Sequence, residues 1–170
     1  TALKVGDGLT PGVEIGPLMN ARAVEKCRRH VEDALARGAR LVAGGGRHDA
    51  GGLFFRPTLL ADVPDDALIF REETFGPVAA VAPFDDEDEV LRRANDTEYG
   101  LVAYLHTRDY ARIARLSRRL EFGMVAVNRT KITGAPVPFG GVKQSGLGRE
   151  GARHGLEEFT ELKYLCVDVA

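Results

Sequence analysis

The chain has no tryptophan, and only two cysteines and two methionines. Two cysteines, Cys27 and Cys166, are too few for a disulfide framework, and a reducing cytoplasm is the compartment this usage implies. A membrane helix needs roughly 18 or more consecutive apolar residues. The apolar runs here, such as VAAVAPF from Val78 to Phe84, are much shorter, so no membrane partner is expected. An excess of one charge is missing as well. The 23 lysines and arginines face 25 aspartates and glutamates, interspersed along the chain, and leave a formal net charge of −2. No basic face is available to neutralise phosphates, so no nucleic-acid partner is expected. The four histidines, His30, His48, His106 and His154, show no ligand spacing with carboxylates or cysteines, which argues against a metal site. There is no internal repeat, low-complexity segment or recognisable signal peptide. Because the sequence begins at Thr1 rather than Met, further chain upstream is expected.

What is present reads as a globular α/β domain. Hydrophobic residues make up 44% and charged residues 28%, the ordinary balance for a chain that buries a core. The first twenty residues are rich in Gly and Pro and read as an extended loop. Asn20 is placed to cap a first helix, on which Val24, Cys27, Val31 and Leu35 share one face, with Gly38 as terminator. ARLVAGG (39–45), an extended GGLFFRPTLL (51–60) and a buried VAAVAPF follow as strand candidates. Pro57 argues for a strand end or an edge. Asp85 or Asp86 caps a second helix running through Asn95, and its acidic first turn suits the helix dipole. GLVAYLHT (100–107) is the next strand, Asp109 caps a third helix with Ile113, Leu116 and Leu120, and GMVAVN (123–128) is again a strand. Alternation of this kind predicts right-handed βαβ units and a mainly parallel, Rossmann-like sheet. After Asn128 about twenty residues of Gly, Pro, Lys and Ser break the pattern. A short helical stretch near GREGARHGLEEF and a final strand, ELKYLCVDV, follow.

PFGGVKQSGLGREG, Pro138 to Gly151, contains the spacing G-x-G-x-x-G, with Asp168 downstream. A dinucleotide fingerprint needs a strand before the first glycine and a long helix after the last. FGGVKQS supplies no such strand, and Gly155 interrupts any helix soon after Gly151. The run reads instead as a tight loop at the mouth of a site, with several glycines at positive φ.

The same residues resemble the C-terminal signature of the aldehyde dehydrogenase superfamily, and EETFGPV (72–78) resembles its second hallmark. KVGDG…GPL, GGLFFRPTLL, NDTEYGL and GMVAVN match the family in the expected order, so the resemblance spans essentially the whole chain. PFGGVKQSGLGREG continuing into EFTELKYLCV is most similar to succinate-semialdehyde dehydrogenases. The match is to the C-terminal third of a longer enzyme. It implies residues 1–144 as part of the catalytic domain, 145–159 as a return segment toward the coenzyme domain, and 160–170 as an oligomerisation strand. The strand would join a partner subunit's sheet, giving a homo-oligomer, dimer or tetramer.

The resemblance implies oxidation of a small aldehyde to an acid with NAD or NADP, through a cysteine thiolate and a thioester. The nucleophile, the general base and the oxyanion-hole asparagine would precede Thr1, so the isolated chain is expected to be inactive. Cys27 reads as a small buried thiol, and neither it nor Cys166 has a cationic setting that would activate it.

Glu73 matches the glutamate that holds the nicotinamide ribose hydroxyls, and Phe75 the aromatic beside the nicotinamide. The local reading of Glu72 and Glu73 is a solvated turn before a strand, and Glu72 stays structural in either reading. Phe139 matches an aromatic lining the aldehyde tunnel, against the alternative of a core anchor. Thr133 aligns with a serine that holds the distal carboxylate of succinate semialdehyde, and Arg129 and Lys131 either attract that anion or face solvent. Asn128 ends a strand where α/β sites gather, or caps the loop. Lys143, Ser145, Arg149 and Glu150 belong to the glycine-rich signature. Arg149 and Glu150 have the types and spacing for locking ion pairs, and Glu150 also matches a glutamate proposed as a proton relay. The alternatives to this enzyme are a non-catalytic paralogue that assembles with a full-length subunit, or a dehydrogenase for another small aldehyde.

Overall fold

The computed structural model describes residues 3–169; Thr1, Ala2 and Ala170, the ends of the expected 1–144 and 160–170 segments, lie outside the described residues. The chain forms two compact units, one ending at Asp85 and the other beginning at Asp86.

In the first unit, α1 spans Ala21–Ala36 and starts where the sequence placed its cap: Asn20 Oδ1 accepts from the Ala23 N–H at 3.0 Å. It stops at Gly38, whose φ of 100° lets the Gly38 and Ala39 amides turn back onto the Leu35 and Ala34 carbonyls. The helix buries Val24, Cys27, Val31 and Ala34 against Phe55, Leu60 and Val63, which form the core of the unit. His30 is buried on the same face.

The sheet of this unit has the order β1-β2-β3, with β1 at Arg40–Ala43, β2 at Thr58–Ala61 and β3 at Val78–Ala80. β2 begins immediately after Pro57, which therefore marks a strand end. Its pairing with β3 is parallel, but its pairing with β1 is antiparallel. VAAVAPF is shorter and less buried than expected: the strand stops at Ala80, Ala79 is exposed, and Val81 is 53% exposed.

The second unit carries one βαβ crossover. β5 (Val102–Leu105) leads through α3 (Tyr110–Arg119) to β6 (Met124–Val127), which pairs parallel to β5 residue for residue. α2 (Glu87–Asn95) is capped by Asp86, rather than Asp85, through the Glu89 N–H at 2.8 Å, and Asp109 caps α3 through the Arg112 N–H at 3.1 Å. Glu87 of α2 ties the two helices by accepting from Arg112 and Arg115.

β4 (Tyr99–Gly100) and β7 (Val142–Lys143) form a separate antiparallel ribbon. Two of the four ladders are thus antiparallel, and the fold is α/β with mixed and parallel sheets rather than one mainly parallel sheet. Short strands with half-exposed faces have no long apolar run that would force a single central sheet. α4 is one turn, His154–Glu157. Beyond it, residues 161–169 are exposed, have no assigned strand, and make no backbone hydrogen bond among the described residues. A strand needs a neighbour to take its amides and carbonyls, and none of the described residues supplies one to this segment.

Candidate functional site

The loop from Arg71 to Pro77 joins a 3-10 turn (Leu68–Phe70) to β3, and exposed residues 71, 73 and 75 alternate with half-buried 72, 74 and 76. Glu72 and Thr74 turn toward α1. The Glu72 carboxylate accepts from Arg29 and lies 3.2 Å from His30 Nε2, while Thr74 Oγ1 lies 3.0 Å from His30 Nδ1. The hydrogen bond from His30 is the main reason the Glu72 carboxyl sits below its ordinary range; the Arg29 charge adds to it.

Glu73 and Phe75 point the other way. Glu73 is exposed and has no hydrogen bond or ion pair among the described residues, so its two oxygens are free for a ligand. Phe75 is 80% exposed and held at φ 48°. A left-handed backbone costs a non-glycine residue of order 1 kcal/mol or more.

The remaining candidates lie in the second unit. Asn128 ends β6 at φ 54° and uses its whole amide on one neighbour: Oδ1 accepts from the Thr107 N–H at 2.9 Å, and Nδ2 donates to the Thr107 carbonyl at 2.8 Å. It closes the ends of β5 and β6. Thr133 is exposed with its hydroxyl unengaged among the described residues. Arg129 folds back to donate to the Lys131 carbonyl at 2.6 Å. A hollow of about 280 Å³ beside β6 is lined by that strand together with Arg129, Ile132 and Pro138, sequence neighbours of Thr133 and Phe139.

Phe139 and Glu150 are brought together by a two-way backbone bridge, each amide donating to the other's carbonyl at 2.8 Å. The bridge holds the Glu150 carboxylate outward and exposed. Arg149 makes no ion pair with a carboxylate among the described residues. Its guanidinium donates to the Gly141 and Gly148 carbonyls at 2.7 and 2.6 Å, and its amide donates to Glu158. The expected ion pairs of Arg149 and Glu150 are not formed among the described residues; Arg149 ties the glycine-rich loop to its own backbone instead. Lys143 reaches the Asn95 and Thr97 carbonyls and Glu121, and Ser145 Oγ accepts from the Gly100 N–H, so both clasp β7 to β4.

The glycines of this stretch behave as a packing loop. Gly146, Gly148 and Gly151 have φ of 97°, 82° and 76°, and a Cβ on Gly140 would meet the Gly148 carbonyl at 2.4 Å. Only the two-residue β7 precedes them and only the one-turn α4 follows, so the strand and helix of a phosphate cradle are absent from this stretch.

A comparison with known families matches residues 1–165 to the aldehyde dehydrogenase family. The chain belongs to the aldehyde dehydrogenase family. It is 56% identical to the non-phosphorylating aspartate-semialdehyde dehydrogenase of Halomonas elongata, over 98% of this chain and 34% of that enzyme. It is 51% identical to the NADP(+) succinate-semialdehyde dehydrogenase of Escherichia coli, over 97% of this chain and 34% of the relative. Among solved structures, succinate-semialdehyde dehydrogenase from Burkholderia pseudomallei superposes with a TM-score of 0.96 at 51% identity, covering 98% of this chain and 35% of that one. This aldehyde dehydrogenase chain therefore spans about a third of the length of the relatives it matches.

Sequence reasoning missed the inner side of the EETFGPV loop. His30 entered it only as a histidine without metal-ligand spacing. The available signal was its place on the apolar face of α1, three residues after Cys27, where a polar ring needs partners from elsewhere in the chain.

Proposed function

We propose that this chain is the C-terminal portion of an NAD(P)-dependent aldehyde dehydrogenase that oxidises succinate semialdehyde to succinate. The observation that carries the reading is the Arg71–Pro77 loop, in which Glu73 and Phe75 are free and outward between two tethered neighbours. A carboxylate with both oxygens unengaged can accept two ribose hydroxyls at once, and an exposed aromatic can pack beside a planar ring. These residues fit a nicotinamide nucleotide.

When bound, the nicotinamide accepts the hydride that leaves the aldehyde carbon. The residues of this chain bind and orient: Glu73 fixes the ribose, and Phe75 limits the ring's movement. Phe139 shapes the aldehyde path, and Thr133 offers a hydroxyl to the distal carboxylate. Glu150, exposed beside Phe139, is the candidate proton relay. Asn128 contributes by holding the loop's starting point, since its amide is already engaged with Thr107.

The attacking thiolate comes from outside these residues. Burial pushes the Cys27 thiol up, away from the thiolate form. Cys166 sits exposed in the terminal segment. The names of two similar enzymes, acting on aspartate semialdehyde and succinate semialdehyde, support an aldehyde with a carboxylate at its far end. Leu162, Tyr164, Leu165, Val167 and Val169 are all at least 65% exposed, which supports a segment completed by a second subunit, and hence a homo-oligomer. Two unbridged cysteines support a cytoplasmic setting.

The test is cofactor reduction by the whole enzyme with succinate semialdehyde and with an uncharged aldehyde of similar length. We expect reduction of NAD or NADP with clear preference for the carboxylated substrate. No reduction with any aldehyde would overturn the reading, as would full turnover by these 170 residues alone.

A further inference from the structure

We propose that His30 is a positioning residue, which clamps the Glu72 and Thr74 side chains so that Glu73 is turned out toward the cofactor ribose. The proposal rests on the reading of Glu73 as the ribose ligand. Three observations carry it. His30 is fully buried, yet both ring nitrogens are engaged by the same loop, Nδ1 with Thr74 Oγ1 at 3.0 Å and Nε2 with Glu72 Oε2 at 3.2 Å. Its helical neighbour Arg29 grips the same Glu72 carboxylate from the exposed side. One turn earlier on α1, Cys27 Sγ lies 2.3 Å from where a Cβ on Gly76 would stand.

The loop is therefore held against α1 at residues 72, 74 and 76. Exposure alternates along the loop, with residues 72, 74 and 76 half-buried against the helix and 73 and 75 open to solvent. Residues 73 and 75 lie between tethered positions and face outward, and both are exposed. A small shift of a ligand-binding group costs activity steeply. A buried imidazole is well suited to prevent it, since its rigid ring cannot slide between partners.

The arrangement also sets the ring's hydrogen. An ionised carboxylate only accepts, so Nε2 carries the proton toward Glu72. Loss of either partner removes one of the two contacts.

The test uses the whole enzyme with His30→Leu, Thr74→Val, Thr74→Ser and Glu73→Gln, each checked for an intact melting transition. The readouts are single-turnover cofactor reduction, cofactor Kd, and amide hydrogen exchange at residues 72–76. We expect His30→Leu and Thr74→Val to slow reduction and raise Kd about tenfold, to within a few-fold of Glu73→Gln. Neither should add to Glu73→Gln in a double variant, and Thr74→Ser should behave as wild type. Exchange at 72–76 should quicken in His30→Leu and Thr74→Val alone. If Glu73→Gln slows reduction while folded His30→Leu does not, or if the effects add, the positioning role is overturned. Unchanged exchange in His30→Leu overturns it as well. If Glu73→Gln itself has no effect, the ribose reading fails, and the exchange result decides separately whether His30 holds the loop. If His30→Leu does not fold, Thr74→Val with its Thr74→Ser control decides the question.

Discussion

A Cβ added to Gly76 would lie 2.3 Å from Sγ of Cys27. The two residues come from different elements, α1 and the loop before β3, and they touch because one has no side chain. The contact lets the EETFGPV loop lie against the helix, and it gives the fully buried Cys27 a packing role.

Gly76→Ala should therefore be destabilising by about 1–3 kcal/mol, the usual range for overfilling a packed core. Combining it with Cys27→Ala, which removes the sulfur, should return at least about 1 kcal/mol relative to the sum of the single changes. Urea unfolding of the four proteins of this cycle measures the coupling. Strict additivity would contradict the contact.

Asn128 is expected to act through the fold. Asn128→Ala removes both hydrogen bonds to Thr107 and places a Cβ-bearing residue without a local partner at φ 54°. A loss of about 2 kcal/mol is expected. Asn128→Gly loses the same bonds but relaxes the backbone, and it should be the less damaging of the two. Denaturant midpoints give the order, and Gly worse than Ala would contradict the strain argument.

The Asp33 carboxylate links α1 to the turn before the candidate loop. It accepts from the Leu68 N–H at 2.8 Å and from Arg37 Nε at 2.8 Å, and these bonds, the amide's foremost, hold its carboxyl below the ordinary value of 3.8. The folded pKa is depressed, so the contribution is complete above the unfolded value and fades as pH falls through the lower folded value. The stability gap between wild type and Asp33→Asn should be constant near neutrality and shrink below about pH 4. Thermal melts across that range test it. A gap that does not change with pH would show that the charge is not the cause.

Thr133 leads to a substrate-dependent outcome. Its hydroxyl is unengaged among the described residues, in the loop that the family resemblance assigns to carboxylate recognition. In the whole enzyme, Thr133→Ala should lower kcat/KM for succinate semialdehyde about tenfold, the scale of one hydrogen bond to a charged group. The uncharged aldehyde should be affected far less. Equal losses on both would remove Thr133 from recognition.

The helices were legible because their signals are local. Asn20, Asp86 and Asp109 each stand one residue before a run with apolar spacing, and each accepts the expected amide. The β5–α3–β6 crossover was legible for the same reason. Strand direction was not: β1 is four mostly exposed residues, and nothing in RLVA states that it will pair antiparallel. Residues 161–169 read as a strand, yet a strand is defined by a neighbour, and the described residues supply none. In the candidate site, Glu73 and Phe75 were singled out by motif, and the structure leaves both exposed. The contacts of His30 were hidden because its partners lie 42 and 44 residues away in sequence. Asn128 and Arg149 were singled out, but only coordinates reveal that both are engaged with backbone groups.

The most direct test of the account is the rate of the first cofactor reduction in a single turnover of the whole enzyme carrying Glu73→Gln. The substitution preserves the side chain's shape and removes the charge from a group that has no protein partner among the described residues. Reduction should slow at least about tenfold, with hydrolysis of the thioester little changed. A first turnover as fast as that of the wild-type enzyme would contradict it.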